Sequence, residues 1–217
     1  MSAARLDWYF DFVSPYSYLQ FAAYPQLFRR NDVALKPVLF AGLLRHWGTK
    51  GPAEVPAKRV FTARHVLFRA RELLVPLRHP PAFPINPLRA LRLAVALGAG
   101  VEVVQTIFDF VWKEGRVPAD EWDALLERLG VSGAEAEALV AERDAKRALQ
   151  ANGEAAVAAG VFGVPMFVAE RDRDGPHLFW GLDATPMLIA WLDDPALFDE
   201  AEMRRIASLP SGAQRSA

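Results

Sequence analysis

The order of apolar and polar positions divides the chain into three stretches. Residues 6–12 (LDWYFDF) are apolar and aromatic, the composition of a strand. Ser14-Pro15 follows, with the form of a helix N-cap and a proline at the first helical position, and apolar spacing predicts a helix over 15–30. Residues 33–40 (VALKPVLF) alternate as a second strand, in which Pro37 points to an edge or an irregularity. A strand–helix–strand opening predicts a parallel pair joined by a crossover helix.

The middle has helical period. A Gly/Pro loop over 48–56 leads to a basic amphipathic helix over 57–74. A proline-rich connection over 79–84 precedes a helix that Asn86-Pro87 opens and that runs to 97. Further helices are expected over 101–113, 119–129 and 133–159. Strand signals then return. Residues 163–168 (GVPMFV) read as a turn and a short strand, 171–175 as a charged hairpin loop, and 177–180 (HLFW) as its partner. A last helix is expected over 184–192 and a disordered tail from 210. Two segments distant in sequence therefore complete one sheet. The economical architecture is an α/β core formed by residues 1–45 and 160–209, with a helical domain inserted over 46–159.

Composition narrows the chemistry. The 217 residues carry a formal net charge of -1 with mixed signs, so no basic face for nucleic acid is expected. No apolar run is long enough to span a bilayer, and residues 1–8 lack the apolar core of a signal peptide, so the default expectation is a cytoplasmic protein. Cysteine is absent, which excludes disulfides, CxxC redox chemistry and a cysteine nucleophile in this chain. Four histidines form no HxxxH or HExxH pair, so no metal site is expected, and no glycine-rich phosphate loop occurs. Thiol chemistry here needs a thiol from a small molecule.

Four segments in order, FDFVSPYSYL, GPAEVPAK with FPINPLRALR, GVFGVPMFV and FWGLD, resemble the DsbA-like branch of thioredoxin folds. More narrowly they are similar to 2-hydroxychromene-2-carboxylate isomerase and the related kappa-class glutathione transferases, over residues 6–192. The resemblance implies a thioredoxin-like core with a helical insertion, glutathione as cofactor and a homodimer. It also implies a catalytic Ser14 in the place where redox relatives have cysteine. A helix N-terminus offers free N–H groups and a positive dipole end, and a serine hydroxyl there can donate a charge-assisted hydrogen bond to a bound thiolate. An ordinary helix cap explains Ser14-Pro15 as well.

The remaining site residues follow from the same likeness. Val164-Pro165 is expected to be a cis bond, with the Val164 backbone meeting the glutathione cysteinyl unit by strand addition; a proline opening an edge strand is the alternative. Met166 stands where relatives often have Thr or Ser. Asp183 is expected to bind the γ-glutamyl ammonium group, or to cap the last helix. Relatives commonly show Gly-x-Asp-Arg, whereas Ala184 follows here and Leu182 replaces a serine. Lys58 matches a lysine directed at the glycyl or substrate carboxylate, Thr49 stands where many relatives have Asn, and Asn86 is a candidate substrate contact or a cap. Arginines 59, 64, 69 and 71 form an anionic pocket wall or solvate a helix. Trp8, Phe10, Phe12, Trp47 and Trp180 read as core or interface.

The expected function is glutathione-dependent cis–trans isomerisation of 2-hydroxychromene-2-carboxylate to trans-o-hydroxybenzylidenepyruvate or a similar small aromatic carboxylate. A kappa-like glutathione transferase and a non-catalytic thiol or peptide binder are the alternatives.

Overall fold

In the computed structural model, which describes residues 4–30, 32–171 and 174–210, the first strand is the keystone of a four-stranded sheet. β1 (Arg5–Phe10) lies between β2 (Val33–Pro37) and β3 (Met166–Arg171), and β4 (Asp174–Trp180) closes the far side, giving the order β2-β1-β3-β4. β1 and β2 are parallel, with Leu6 opposite Val33, and the two other pairings are antiparallel. Pro37 and Pro176 both fall on edge strands, where a missing N–H is tolerated.

β1 is buried on both faces from Leu6 onward, which is why its sequence is almost unbroken apolar. Alternation still assigns its side chains to two layers. Leu6, Trp8 and Phe10 join the larger core with Phe108, Phe167, Phe179 and Trp191. Tyr9 joins a smaller one with Leu43, Ala156, Met166 and Val168. The larger layer is continuous with the inserted helices, since Leu91, Val111, Trp112 and Leu125 belong to it.

Helices fill both faces. α1 (Pro15–Ala23) and α2 (Pro25–Phe28) replace the single helix expected over 15–30, because Pro25 starts a new helix after Tyr24. The strand expected over 33–40 ends at Pro37, and α3 (Phe40–His46) follows, a short helix with no side-chain cap to announce it. α4 (Pro56–Glu72), α5 (Leu88–Ala96) and α6 (Val101–Phe108) lie near their expected bounds, and α6 ends in a π turn over Asp109–Lys113. α7 (Trp122–Leu129) is shorter than expected and closes on Gly130, whose φ of 68° suits glycine. The helix expected over 133–159 is two, α8 (Gly133–Ala141) and α9 (Arg143–Ala158), broken at an extended Glu142. α10 (Thr185–Asp193) packs on β4, and α11 (Ala201–Ala207) was not expected. The tail after 210 and the hairpin tip at 172–173 lie outside the described residues.

One buried side chain joins the two halves of the chain. Gln20 on α1 accepts from Trp8 Nε1 at 2.6 Å and donates to Gly181 O at 3.1 Å and Thr185 Oγ1 at 2.8 Å. Gly181 N in turn donates to Pro165 O at 2.8 Å. Replacing Gln20 by Leu leaves the Trp8 indole N–H and the Thr185 Oγ1 acceptor site, both on fully buried residues, without this partner, and each unpaired group costs about 1–3 kcal/mol. Urea unfolding of Gln20→Leu should show a loss of about 2–4 kcal/mol. A loss under about 0.5 kcal/mol would mean that the cross-link is not a stabilising element.

Candidate active site

The site begins where β1 stops. The chain turns at Asp11, and four bonds fix the turn. The Asp11 carboxylate accepts from Val13 N at 3.0 Å and from Phe40 N at 2.8 Å, so it holds the β1–α1 loop to the start of α3. Ser14 N donates to Asp11 O at 3.0 Å, and Trp112 Nε1 from the π turn donates to Phe12 O at 2.8 Å. Asp11 is fully buried, and burial pushes its carboxyl up to about 7 against the opposing pull of the two N–H donors.

Ser14 is the N-cap of α1. Its Oγ accepts from Ser17 N at 3.2 Å, and Pro15 occupies the first turn, so the capping alternative read from the sequence is realised. Among the described residues no acceptor takes the Ser14 hydroxyl hydrogen. The adjoining Tyr16 is half-buried and its hydroxyl lies 2.8 Å from His65 Nδ1 on α4. Burial raises the Tyr16 phenol; Asp183 raises it further and Arg69 opposes, which sets both charges near its ring.

Asp183 sits on a 3-10 turn, Leu182–Ala184, between β4 and α10. It caps nothing: α10 has no side-chain cap, and Thr185 Oγ1 donates to Leu182 O instead. Asp183 is exposed and pairs with Arg69 of α4 at 3.2 Å, while Arg69 also reaches Glu72 at 3.2 Å. A guanidinium from α4 thus stands beside Asp183 although Ala184 follows it in sequence. Lys58, His65 and Arg69 are separated by seven and four residues, so they share one face of α4. Lys58 is exposed and makes no ion pair among the described residues.

The Val164–Pro165 peptide is cis, and so is Phe83–Pro84. Ladder pairing of β3 begins at Met166, which leaves Val164 just outside it. Next to Val164, a Cβ at Gly163 would lie 2.6 Å from Trp180 Nε1, so a larger residue there would have to displace this indole. Thr49 and Asn86 are exposed. Asn86 Oδ1 accepts from Leu88 N at 3.1 Å, but the cap position of α5 is Pro87 and carries no side-chain cap, so the expected Asn86 cap is not formed, and no hydrogen bond among the described residues joins Asn86 to Ser14. Arginines 59, 64 and 71 are exposed on α4, unlike Arg69. Trp8, Phe10 and Phe12 are core, whereas Trp47 and Trp180 are exposed.

A family model described as a DSBA-like thioredoxin domain matches residues 5–192. The chain belongs to this family. Among curated proteins, this DSBA-like chain is 26% identical over 201 residues to glutathione S-transferase kappa 1 of Homo sapiens, covering 84% of this chain and 88% of the relative. It is 29% identical over 203 residues to 2-hydroxychromene-2-carboxylate isomerase of Sphingobium xenophagum, covering 87% and 98%. Among solved structures, a 2-hydroxychromene-2-carboxylate isomerase superposes with a TM-score of 0.71 at 22% identity, over 95% of this chain and 99% of that one. The cytosolic disulfide reductase DsbM from Pseudomonas aeruginosa, with GSH, gives 0.57 at 19% identity, over 92% and 99%. These structural likenesses establish the thioredoxin-type fold with its helical insertion.

Of the residues singled out from sequence, the DSBA-like fold gathers Asp183 and Arg69 beside the start of α1, and puts Lys58 on the same α4 face. Reasoning from sequence missed Asp11, Tyr16, Gln20 and His65. An acid inside an apolar strand end, FDFV, was the available signal for Asp11.

Asp11 has a measurable signature. The unfolded chain releases its proton near the ordinary 3.8 and the folded chain near 7, so between these values the folded state holds more protons and stability falls as pH rises. The penalty is complete above about 7, absent below about 4, and on the order of 4 kcal/mol. Subtracting the urea stability of Asp11→Asn from that of the unmutated protein across pH 4–8 should reveal this slope. A flat difference would show that Asp11 stays ionised throughout.

Proposed function

We propose that this chain is a glutathione-dependent isomerase, and that 2-hydroxychromene-2-carboxylate or a closely similar aromatic ring-cleavage product is its substrate. The observation that carries this is the setting of Ser14: a hydroxyl at a helix N-terminus whose hydrogen has no acceptor among the described residues, in a chain without cysteine, beside an Asp183–Arg69 pair. The hemiketal ring of the substrate opens to its keto form, its hydroxyl proton passing to the departing phenol oxygen, and the glutathione thiol then supplies the covalent chemistry, adding to the conjugated C=C so that the bond turns single, rotates and reforms on elimination.

The chain's own residues bind and activate. Asp183 takes the γ-glutamyl ammonium group and Arg69 the neighbouring carboxylate, which meets the charge need left open by Ala184. Lys58 lies eleven residues from Arg69, about 16 Å along α4 at about 1.5 Å per residue. A tripeptide spans roughly 10–11 Å extended, and the long Lys and Arg side chains reach inward to its ends. The glycyl carboxylate, or that of the substrate, falls to Lys58. The Val164 backbone pairs with the cysteinyl unit as an added strand. Ser14 and the α1 terminus hold the sulfur as thiolate. Asn86 remains a proposed substrate contact. A reduced thiol as cofactor suits a reducing compartment, and the cytoplasm is the proposed one.

A kappa-like glutathione transferase is the second reading, favoured by the human relative; an isomerase consumes no glutathione, so product analysis separates the two. Glutathione at millimolar concentration should raise the melting temperature by mass action, and Asp183→Ala and Lys58→Ala should each diminish the rise. No rise in the unmutated protein rejects the assignment. Ser14→Ala should raise the titration point of the bound thiol by about one to two pH units, since one charge-assisted hydrogen bond is worth roughly 1.5–3 kcal/mol. A helix cap alone predicts an unchanged titration and a loss of about 1 kcal/mol in stability.

We further propose a homodimer. α4 buries only Val66 and Ala70 and leaves Val60, Phe61, Leu67 and Phe68 exposed, a stripe suited to an apolar interface. Light scattering at micromolar concentration should give twice the chain mass, and Phe68→Glu should halve it. A monomeric unmutated protein removes the dimer and leaves the chemistry intact.

A further inference from the structure

The Tyr16–His65 pair is not needed to bind glutathione, yet it occupies the middle of the site. Tyr16 is the second residue after Ser14, and its hydroxyl meets α4 at His65. His65 lies between Lys58 and Arg69 on the same α4 face and Tyr16 is two residues from Ser14, so on the binding mode proposed above the phenol stands between the sulfur and the Asp183–Arg69 pair, whose charges both act on it. Phe61 stacks on the His65 ring, with centroids 5.6 Å apart and planes 9° from parallel, and the imidazole plane is tilted by 50° to that of Tyr16.

We propose that Tyr16 is a catalytic hydrogen-bond donor to the substrate's keto oxygen, held and polarised by His65 as a positioning residue. This rests on the isomerase reading. Addition to a conjugated enone forms a sulfur–carbon bond at the β-carbon; the C=C pair shifts toward the carbonyl carbon, and the C=O π pair moves onto oxygen. The Tyr16 O–H donates to that oxygen as its charge grows. Elimination breaks the sulfur–carbon bond, returns both pairs and leaves Tyr16 unchanged, so no proton or electron is consumed. His65 must carry its hydrogen on Nδ1 and donate it to the Tyr16 oxygen, which turns the phenol hydrogen toward the cleft. The raised Tyr16 phenol agrees with this assignment, because a donor has to stay protonated.

The probe is trans-o-hydroxybenzylidenepyruvate, bound without glutathione. A donor on its carbonyl draws the conjugated absorption band to longer wavelength in the unmutated protein, and Tyr16→Phe should abolish the displacement. Nitrogen NMR should find the His65 hydrogen on Nδ1. With glutathione present, kcat of Tyr16→Phe should fall roughly a hundredfold, with the bound thiol titration and KM for glutathione unchanged. His65→Gln, which retains an N–H donor, should lose less than His65→Ala. Circular dichroism on each variant establishes that it is folded, and the NMR assignment stands even if Tyr16→Phe is not. A band displacement that survives in Tyr16→Phe, a kcat within twofold of the parent, or a hydrogen on Nε2 overturns the donor while isomerisation by the unmutated protein leaves the isomerase reading standing. Failure of the unmutated protein to bind both glutathione and the probe defeats that reading and the donor with it.

Discussion

Gln20 makes three hydrogen bonds, two of them fully buried, and the geometry of the site depends on all three. Through Trp8 it fixes the height of α1 on the sheet. Through Gly181 and Thr185 it fixes the turn that carries Asp183, more than 160 residues later in the chain. Gly181 is bonded to Pro165, so the loop before β3 is held by the same chain of contacts. Asp11 completes the arrangement from below by joining the β1–α1 loop to α3. Ser14, Val164 and Asp183 come from three separate turns, and their relative placement is a property of these buried polar links rather than of any one segment. Buried polar groups specify geometry because each alternative arrangement leaves donors or acceptors unpaired.

Much of this fold was legible in the sequence, for reasons that differ by element. β1 and α1 are adjacent to a proline cap, and the aromatic run and the Ser-Pro pair are local signals. The edge placement of β2 follows from Pro37. The break between α8 and α9 at Glu142 was not legible, because neither Gly nor Pro marks it and the packing of α5 on both helices decides where the chain turns. α3 was missed for the complementary reason, since its seven residues lack a capping side chain and contain Gly42.

The candidate site was legible in its charged and backbone members and opaque in its pairs. Asp183 could be named from its place before the last helix, yet its partner Arg69 lies on α4, and only the fold brings them to 3.2 Å. The same holds for Tyr16 and His65, forty-nine residues apart. Single residues carry a local signature; a pair formed across a helix interface carries none. The cap formed by Ser14 leaves its proposed second role open, since its oxygen accepts from Ser17 while no acceptor among the described residues takes its hydrogen.

The absence of cysteine has a consequence for how such a protein ages. Nothing in the chain can climb the ladder from thiolate to sulfenic and sulfinic acid, so no step of oxidative inactivation starts at Ser14. On the proposed reading the sulfur enters with each ligand, and a spoiled one departs by dissociation instead of requiring repair in place. Oxidative wear then falls on methionine. Met166 is sealed in the sheet, whereas Met187 on α10 is 40% exposed. The exposed sulfur of Met187 lies on the outer surface of a helix, a different one from that capped by Ser14.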